Sequence, residues 1–234
     1  MNAETSCRNG LPRKLEDSSN VDPAPDDWID AYVQGKESRD SWNQYSSHGS
    51  IKADLEPYSG MSVDWLNWID IFNSLVHQIS MSPGEKLAIL KTKLRGDCLD
   101  LVTGLGGGER AYKEALNRLK ENYGNRGVIR AAHLQALEKL HPGRDNSAQL
   151  KRFAEKVRTH LFVLTQMGGG DDLYLIDMIC SRLEIGDRLA WNERPPRKPI
   201  DGGSEKLNEF GKWLCAGAWA YHNPYDIVAE QEAS

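Results

Sequence analysis

The chain contains no long apolar run and few cysteines, and these two absences argue against several classes of protein. Its longest apolar stretch, residues 214–221 with one glycine, is far shorter than the ~20 residues that a membrane-spanning helix needs. The N-terminus has no apolar core of the kind found in secretory signal peptides. The four cysteines are widely spaced and form no C-x-x-C pair, which predicts reduced, mostly buried thiols. We therefore expect a cytoplasmic protein without a membrane span.

The sequence signatures of catalysis and of metal or cofactor binding are also missing. There is no phosphate-binding G-x-x-x-x-G-K-[ST], no nucleophile-elbow G-x-S-x-G and no zinc-binding H-E-x-x-H. The nearest histidine pair, His133 and His141, is eight residues apart, so ordinary core or surface roles are the better interpretation. Asp201-Gly202-Gly203 is only faintly similar to an aspartic-protease motif and has no apolar strand around it. We expect no enzyme, no metal site and no cofactor.

Charge is segregated along the chain, although the net charge is only −5. Residues 86–160 carry 16 basic and 8 acidic side chains, whereas the flanking segments are acidic. Two interpretations are open: solvated helix faces, or an electropositive patch for an acidic neighbouring subunit or for RNA. Lys151, Arg152 and Lys156 are the candidate residues of that patch. No zinc knuckle, aromatic RNA-binding motif or arginine-rich tail supports the RNA interpretation.

Residues 1–50 are predicted to form a mostly disordered acidic arm, since they are rich in Ser, Asn, Asp and Pro and poor in aliphatic residues. One island, residues 25–33, has the spacing of a short amphipathic helix capped by Asp26, with Trp28 on its apolar side. Trp28 is either a chance aromatic in a tail or part of an element that docks on a partner or on the globular region.

Residues 51–124 are predicted to form a first helical lobe. An extended segment up to Tyr58 precedes Gly60, and Ser82, Pro83 and Glu85 form a predicted capping box with a first-turn proline. Between them, apolar residues follow the i, i+3, i+4, i+7 spacing of one amphipathic helix. These residues are Trp65, Trp68, Ile69, Phe72, Leu75, Val76 and Ile79.

The end of this lobe is marked by Gly124, which is predicted to occupy the C′ position of the last helix. A hinge is predicted near residues 124–127, and residues 127–222 are predicted to form a second helical lobe. The alternative is a single fused bundle, because the hinge is only a few residues long. Helical spacing is found at 127–140, from residue 147, from residue 171 or 172, and from about 204 to 221. Residues around Leu189 and Trp191 are predicted to form only a short turn, and 223–234 a tail.

The last helix carries three large aromatic residues, Trp213, Trp219 and Tyr221. Either they close the core of the second lobe or they form a self-association surface, because a short terminal helix rarely buries three such rings by itself. Both interpretations are open at this stage.

Several motifs in this order resemble the Gag capsid region of BEL/Pao-type retrotransposons and its host-domesticated relatives. The resemblance runs from about Asp54 to Trp191 and begins with L-E-P-Y-S-G before a W-L-N-W helix. It continues with S-P-G-E-K-L-A-I-L-K-T-K-L-R-G and with Y-K-E-A-L-N-R-L-K-E-N-Y-G, and it is looser in the second lobe. Each motif alone is a plain helical pattern, so the similarity depends on their order over about 140 residues.

The resemblance implies an all-α capsid protein of two small helical lobes whose copies associate into oligomers or closed shells. It also implies an ancestral relation to RNA packaging, which the missing zinc knuckle places in doubt. An alternative is a monomeric or dimeric binding module that holds peptides in a groove formed by Tyr58, Trp65 and Trp68. A non-specific RNA carrier is the third hypothesis.

Overall fold

The structure, a computed structural model, describes residues 24–36, 55–143, 147–167, 172–194 and 203–220. The predicted all-α fold is confirmed: helices dominate these residues, and no β-strand occurs in them. The helices are α1 (Asp27–Val33), α2 (Trp65–Phe72), α3 (Pro83–Thr92), α4 (Asp97–Val102), α5 (Gly108–Tyr123), α6 (Arg126–Lys139), α7 (Ser147–Met167), α8 (Asp172–Cys180), α9 (Ile185–Asn192) and α10 (Gly203–Ala220).

The helix predicted to run from Trp65 to Ile79 is interrupted. It is α-helical only to Phe72 and continues as one π-helical turn, Asn73–His77. A π-turn contains one extra residue, so it shifts the register of the side chains that follow. Val76 stays buried, as its spacing predicts, and His77 turns into the protein interior beside it.

The predicted capping box before α3 is confirmed, and both of its hydrogen bonds are present. The backbone N–H of Glu85 donates to Ser82 Oγ at 3.3 Å, and the Ser82 N–H donates to Glu85 Oε2 at 2.8 Å. Pro83 occupies the first turn, where its missing N–H costs nothing. The predicted extended segment pairs with the end of α3: Tyr58 and Leu94 form an isolated parallel β-bridge.

A first core of buried residues extends from Ile29 in α1 to Ile129 in α6. The island predicted at residues 25–33 is therefore a helix that packs on the globular region, mainly on α5. Part of the predicted disordered arm belongs to the fold. The rest of that arm, residues 1–23 and 37–50, lies outside the described residues.

Gly124 ends α5, but not in the way the sequence predicts. Its φ is −83°, which any residue adopts, so no left-handed C′ glycine is needed here. The constraint is close packing: a Cβ at this position would lie 2.7 Å from the Lys120 carbonyl oxygen and 2.8 Å from Asp26 Oδ2. Glycine is required because the N-terminal segment passes directly over the end of α5.

A second core of buried residues extends from Leu137 in α6 to Ala218 in α10, with α7 packed along α10. Helix α6 contributes to both cores, because Ile129 near its start belongs to the first and Leu137 near its end to the second. One continuous helix of 14 residues, about 21 Å long, therefore connects them. The boundaries of the two lobes and the hinge between them remain predictions from the sequence.

The thiols described by the structure match their prediction. Cys98, Cys180 and Cys215 are free and buried, and burial raises the pKa of each; that of Cys180 rises to about 11. Cys7 lies outside the described residues. Within the helices that the structure describes, none is both long and apolar enough to cross a bilayer.

Candidate functional site

The three residues of the predicted peptide groove lie together, but they are inside the first core. Tyr58, Trp65 and Trp68 have 2%, 0% and 5% of their surface exposed. Their rings contact one another, with centroid separations of 5.5 Å for Tyr58–Trp65 and 5.2 Å for Tyr58–Trp68. Tyr123 of α5 closes the cluster, 5.3 Å from the ring of Tyr58.

Hydrogen bonds within the fold also occupy the polar atoms of these rings. The Trp68 indole donates to the Glu56 carbonyl at 2.9 Å, and the Tyr58 hydroxyl donates to the Met61 carbonyl at 3.2 Å. Desolvation is the largest cause of a strongly raised pKa of the Tyr58 hydroxyl. A peptide would reach these rings only by displacing packed side chains, so their burial favours core closure over the groove, which remains a prediction. The alternative interpretation, core closure, agrees with the burial.

The start of helix α1 contacts this aromatic cluster through Asp26, and charged groups join α1 to α5. The Asp26 carboxylate, 2% exposed, accepts a hydrogen bond from the Trp65 indole at 3.0 Å. Lys120 of α5 donates to the Asp26 carbonyl at 3.0 Å and to Asp30 Oδ2 at 2.9 Å. Asp26 stands at the predicted N-cap position, yet its side chain makes no capping bond because Trp65 holds its carboxylate.

A buried polar cluster lies between α1, the π-turn, α3 and α5. The sequence pattern did not predict it. His77 Nδ1 is 3.0 Å from the Tyr112 hydroxyl, and the Lys86 ammonium donates to the His77 carbonyl at 2.6 Å. The rings of Trp28 and Tyr32 pack on the imidazole. Desolvation, and secondarily Lys86, lowers the pKa of His77 to about 3. The helical spacing did not predict this cluster because the π-turn changes the register at His77.

A second histidine contact joins α6 to α7. His133 Nδ1 and His160 Nδ1 are 2.8 Å apart, so one ring must donate and the other accept. Burial, and then the charge of His160, lowers the pKa of His133 to about 4. Burial and Lys156 lower the pKa of His160. His141 is the nearest histidine to His133 in the sequence, whereas His160 is its spatial partner.

The candidate electropositive patch lies on α7. Arg152 and Lys156 are exposed and one helical turn apart, which places them on the same face, and Lys151 is half-buried. Their positions suit either open interpretation, a solvated face or a binding patch. RNA binding by these residues remains a prediction.

Of the three aromatic residues proposed for self-association, only the side chain of Trp213 is described. Trp213 is half-buried and packs within the second core, 5.1 Å from the ring of Trp191 and 5.7 Å from that of Phe210. The side chain of Trp219 and all of Tyr221 lie outside the described residues. The ring contacts of Trp213 agree with the core-closing interpretation for this residue.

Among the described residues, α7, α8 and α9 carry most of the exposed large apolar side chains, and the sequence did not predict this. The residues predicted to form a short turn are helix α9, in which no residue is buried. Ile185 and Leu189, one turn apart on α9, are 74% and 51% exposed. Helices α7 and α8 add three further exposed large apolar side chains, namely Phe162, Leu173 and Tyr174.

These features define a class: an all-α protein with two adjoining hydrophobic cores, closed aromatic packing and exposed apolar helix faces on the second core. A family model matches residues 58–197, more than half of the sequence, and the chain therefore belongs to the family described as protein of unknown function (DUF1759). That family is typical of Gag-like and polyprotein regions of retrotransposons. Comparison with curated proteins and with solved structures gives no match.

Proposed function

We propose that this chain is a Gag-like structural protein, of the BEL/Pao type or domesticated from it, whose copies self-associate into oligomers or capsid-like shells. Family membership supports a retroelement-derived protein. The proposed role is structural rather than catalytic, in keeping with the absence of catalytic motifs from the sequence.

The observation that carries the self-association proposal is the distribution of exposed apolar side chains. Seven large apolar residues are prominently exposed among the described residues, and five of them lie between residues 162 and 189. Large apolar side chains that share one exposed surface are typical of a protein interface, and we propose that these five form one. A stable interface buries roughly 1,200–2,000 Å² in total, so α9 alone is too small and α7 and α8 must contribute.

Light scattering and negative-stain microscopy of the purified full chain test this proposal. We expect particles larger than a monomer, whose size grows with protein concentration and salt, since salt screens charge repulsion between copies. A strictly monomeric species at high salt and high concentration would exclude self-association.

A pair of matched variants tests the surface. Ile185→Glu with Leu189→Glu should abolish the larger species because it places charges within an apolar contact. Met61→Glu is the control, since Met61 is 57% exposed but lies in the first lobe. If both variants assemble like the wild type, α9 is not part of the interface, whereas the proposed function itself stands.

RNA carriage is a second candidate function, favoured by the exposure of Arg152 and Lys156 on one face of α7. Binding through phosphate contacts would weaken steeply with salt, because each neutralised phosphate releases counterions. A plot of log affinity against log salt concentration has a negative slope. Neutralising Lys151, Arg152 and Lys156 should make that slope shallower by about two to three. An unchanged slope would exclude this patch as the RNA contact.

A further inference from the structure

A cavity opens in the second lobe at a place that no sequence motif marks. It has a volume of about 110 Å³ and lies between the end of α6, the start of α7, the α8–α9 turn and α10. Leu150, Leu183, Trp213 and Leu214 supply its apolar lining. A cavity of this size accommodates one or two aliphatic side chains rather than a drug-sized molecule.

The charged side chains that line the cavity are acidic. Glu184 and Asp187 line it and are exposed, so their carboxylates lie on its solvent side. Burial, and then the charge of Glu184, raises the pKa of Asp187. Neither carboxylate has an ion-pair partner within the described part of the chain. The site therefore matches a segment with aliphatic side chains next to positive charges.

The chain contains such a segment before its first described residue. Residues 8–15 read R-N-G-L-P-R-K-L, with three basic and no acidic side chains. Leu11 and Leu15 flank Pro12, Arg13 and Lys14, and the proline favours an extended backbone. A leucine side chain matches the cavity in size, and Arg13 and Lys14 match its two carboxylates in charge.

The length of the chain allows this segment to reach the cavity of its own molecule. The N-terminal segment enters the fold near the start of α6, since Asp27 lies 3.6 Å from Arg126. The cavity lies just beyond the other end of α6, at Pro142. The distance to cover is therefore at least the length of α6, about 21 Å. The nine residues from Leu15 to Ala24 reach up to about 30 Å when fully extended.

We propose that the cavity between α7, α9 and α10 binds residues 11–15 of the same chain, with a leucine in the apolar part and Arg13 and Lys14 on Glu184 and Asp187. Tethering favours the chain's own segment over that of another copy, because a short flexible linker gives an effective concentration in the millimolar range. The docked segment would run beside α6 and connect the second lobe to the point where α1 joins the first. This contact does not depend on self-association.

Zero-length carbodiimide cross-linking of the full chain, read by mass spectrometry, tests the contact directly. We expect an amide between Lys14 and Asp187 or Glu184. The Lys120–Asp30 pair, 2.9 Å apart, is the internal positive control. Mixing equal amounts of ¹⁴N- and ¹⁵N-labelled protein before cross-linking distinguishes a link within one chain from a link between two.

One double variant and one competing peptide test the apolar part of the contact. Leu11→Ser with Leu15→Ser keeps Lys14 reactive but removes the side chains that fill the cavity, and should lower the yield of the link about tenfold. A synthetic peptide of residues 8–16 in excess should lower it in the same way. Both changes should leave the Lys120–Asp30 link unaltered, which shows that the protein is still folded.

Three outcomes would overturn the proposal. The first is no link from Lys14 to either carboxylate while the Lys120–Asp30 control forms. The second is a link found mainly between differently labelled chains, which would assign the cavity to the segment of a second copy. The third is a link from Lys198 in place of Lys14, which would assign the cavity to the basic residues between α9 and α10.

Discussion

The indole N–H of Trp65 donates a hydrogen bond of 3.0 Å to the carboxylate of Asp26, 39 positions earlier in the sequence. Both side chains are buried, at 0% and 2% exposure. The bond joins α1 to the aromatic cluster, and Gly124 leaves the space in which the Asp26 carboxylate lies. The N-terminal helix is therefore a structural part of the first core.

Substitution of Asp26 tests this bond. Asp26→Ala should lower the free energy of unfolding by about 1–3 kcal/mol, because the buried indole N–H of Trp65 loses its acceptor. Asp26→Asn keeps an acceptor oxygen and should cost less. Urea unfolding followed by circular dichroism measures both; equal stability of the Ala variant and the wild type would show that α1 is not held by this bond.

Gly124→Ala should destabilise the protein by about 1–3 kcal/mol, because the new Cβ overlaps the Lys120 carbonyl and the Asp26 carboxylate. Gly186→Ala is the matched control. Nothing lies within 4 Å of a Cβ at that position in α9, so the change should be neutral or stabilising by up to about 1 kcal/mol. Thermal unfolding of the two variants compares them, and a similar effect of both would argue against close packing at Gly124.

Trp65→Ala should cost about 3–5 kcal/mol, as expected for a fully buried aromatic residue. Met61→Ala, at an exposed position four residues earlier, should change the stability by less than about 0.5 kcal/mol. Urea titration gives both values. A Trp65→Ala protein as stable as the wild type would contradict the core position of this ring and favour the peptide-groove hypothesis.

Acid should destabilise the fold through its buried histidines. The folded-state pKa is lowered to about 3 for His77 and about 4 for His133, below the unfolded value of about 6.5. Between these values the unfolded chain binds more protons than the folded one. Stability is therefore fully present above about pH 6.5 and falls as the pH drops, by roughly 2–3 kcal/mol per histidine near pH 4.5.

A substitution isolates the contribution of one histidine. His133→Gln removes one titrating group, so its free energy of unfolding should fall less between pH 7 and pH 5 than that of the wild type. The exposed His141→Gln provides the control. Chemical unfolding at pH 7 and pH 5 gives the free energy of unfolding of each protein at both values. If it falls as much for His133→Gln as for the wild type, the pKa of His133 is not lowered.

The sequence predicted features that depend on neighbouring residues. The Ser82–Glu85 capping box could be predicted because both partners lie within one turn. The buried positions Trp65, Trp68, Ile69 and Phe72 follow from helical spacing alone, since one face of an amphipathic helix must be covered. After Phe72 the same spacing still predicted the burial of Val76, but it did not predict that of His77, because the π-turn shifts the register there.

The candidate surfaces were less predictable than the helices. Tyr58, Trp65 and Trp68 could be recognised as one cluster from their order in the sequence, but spacing does not show whether a ring faces a groove or a core. Their burial depends on α1 and α5, which the Lys120–Asp30 contact joins across 90 positions. Helix α9 was not predicted, because it is short and its few apolar residues were interpreted as part of a turn.

The sequence by itself determined the all-α class, most helix positions and their apolar faces, because these depend on period and on caps a few residues away. Only the tertiary structure decided which faces meet. It paired Asp26 with Trp65 and His133 with His160, and it left Ile185 and Leu189 exposed. The physical reason is that burial and long-range hydrogen bonds are properties of the packed chain, and helical periodicity carries no information about the partner of each face.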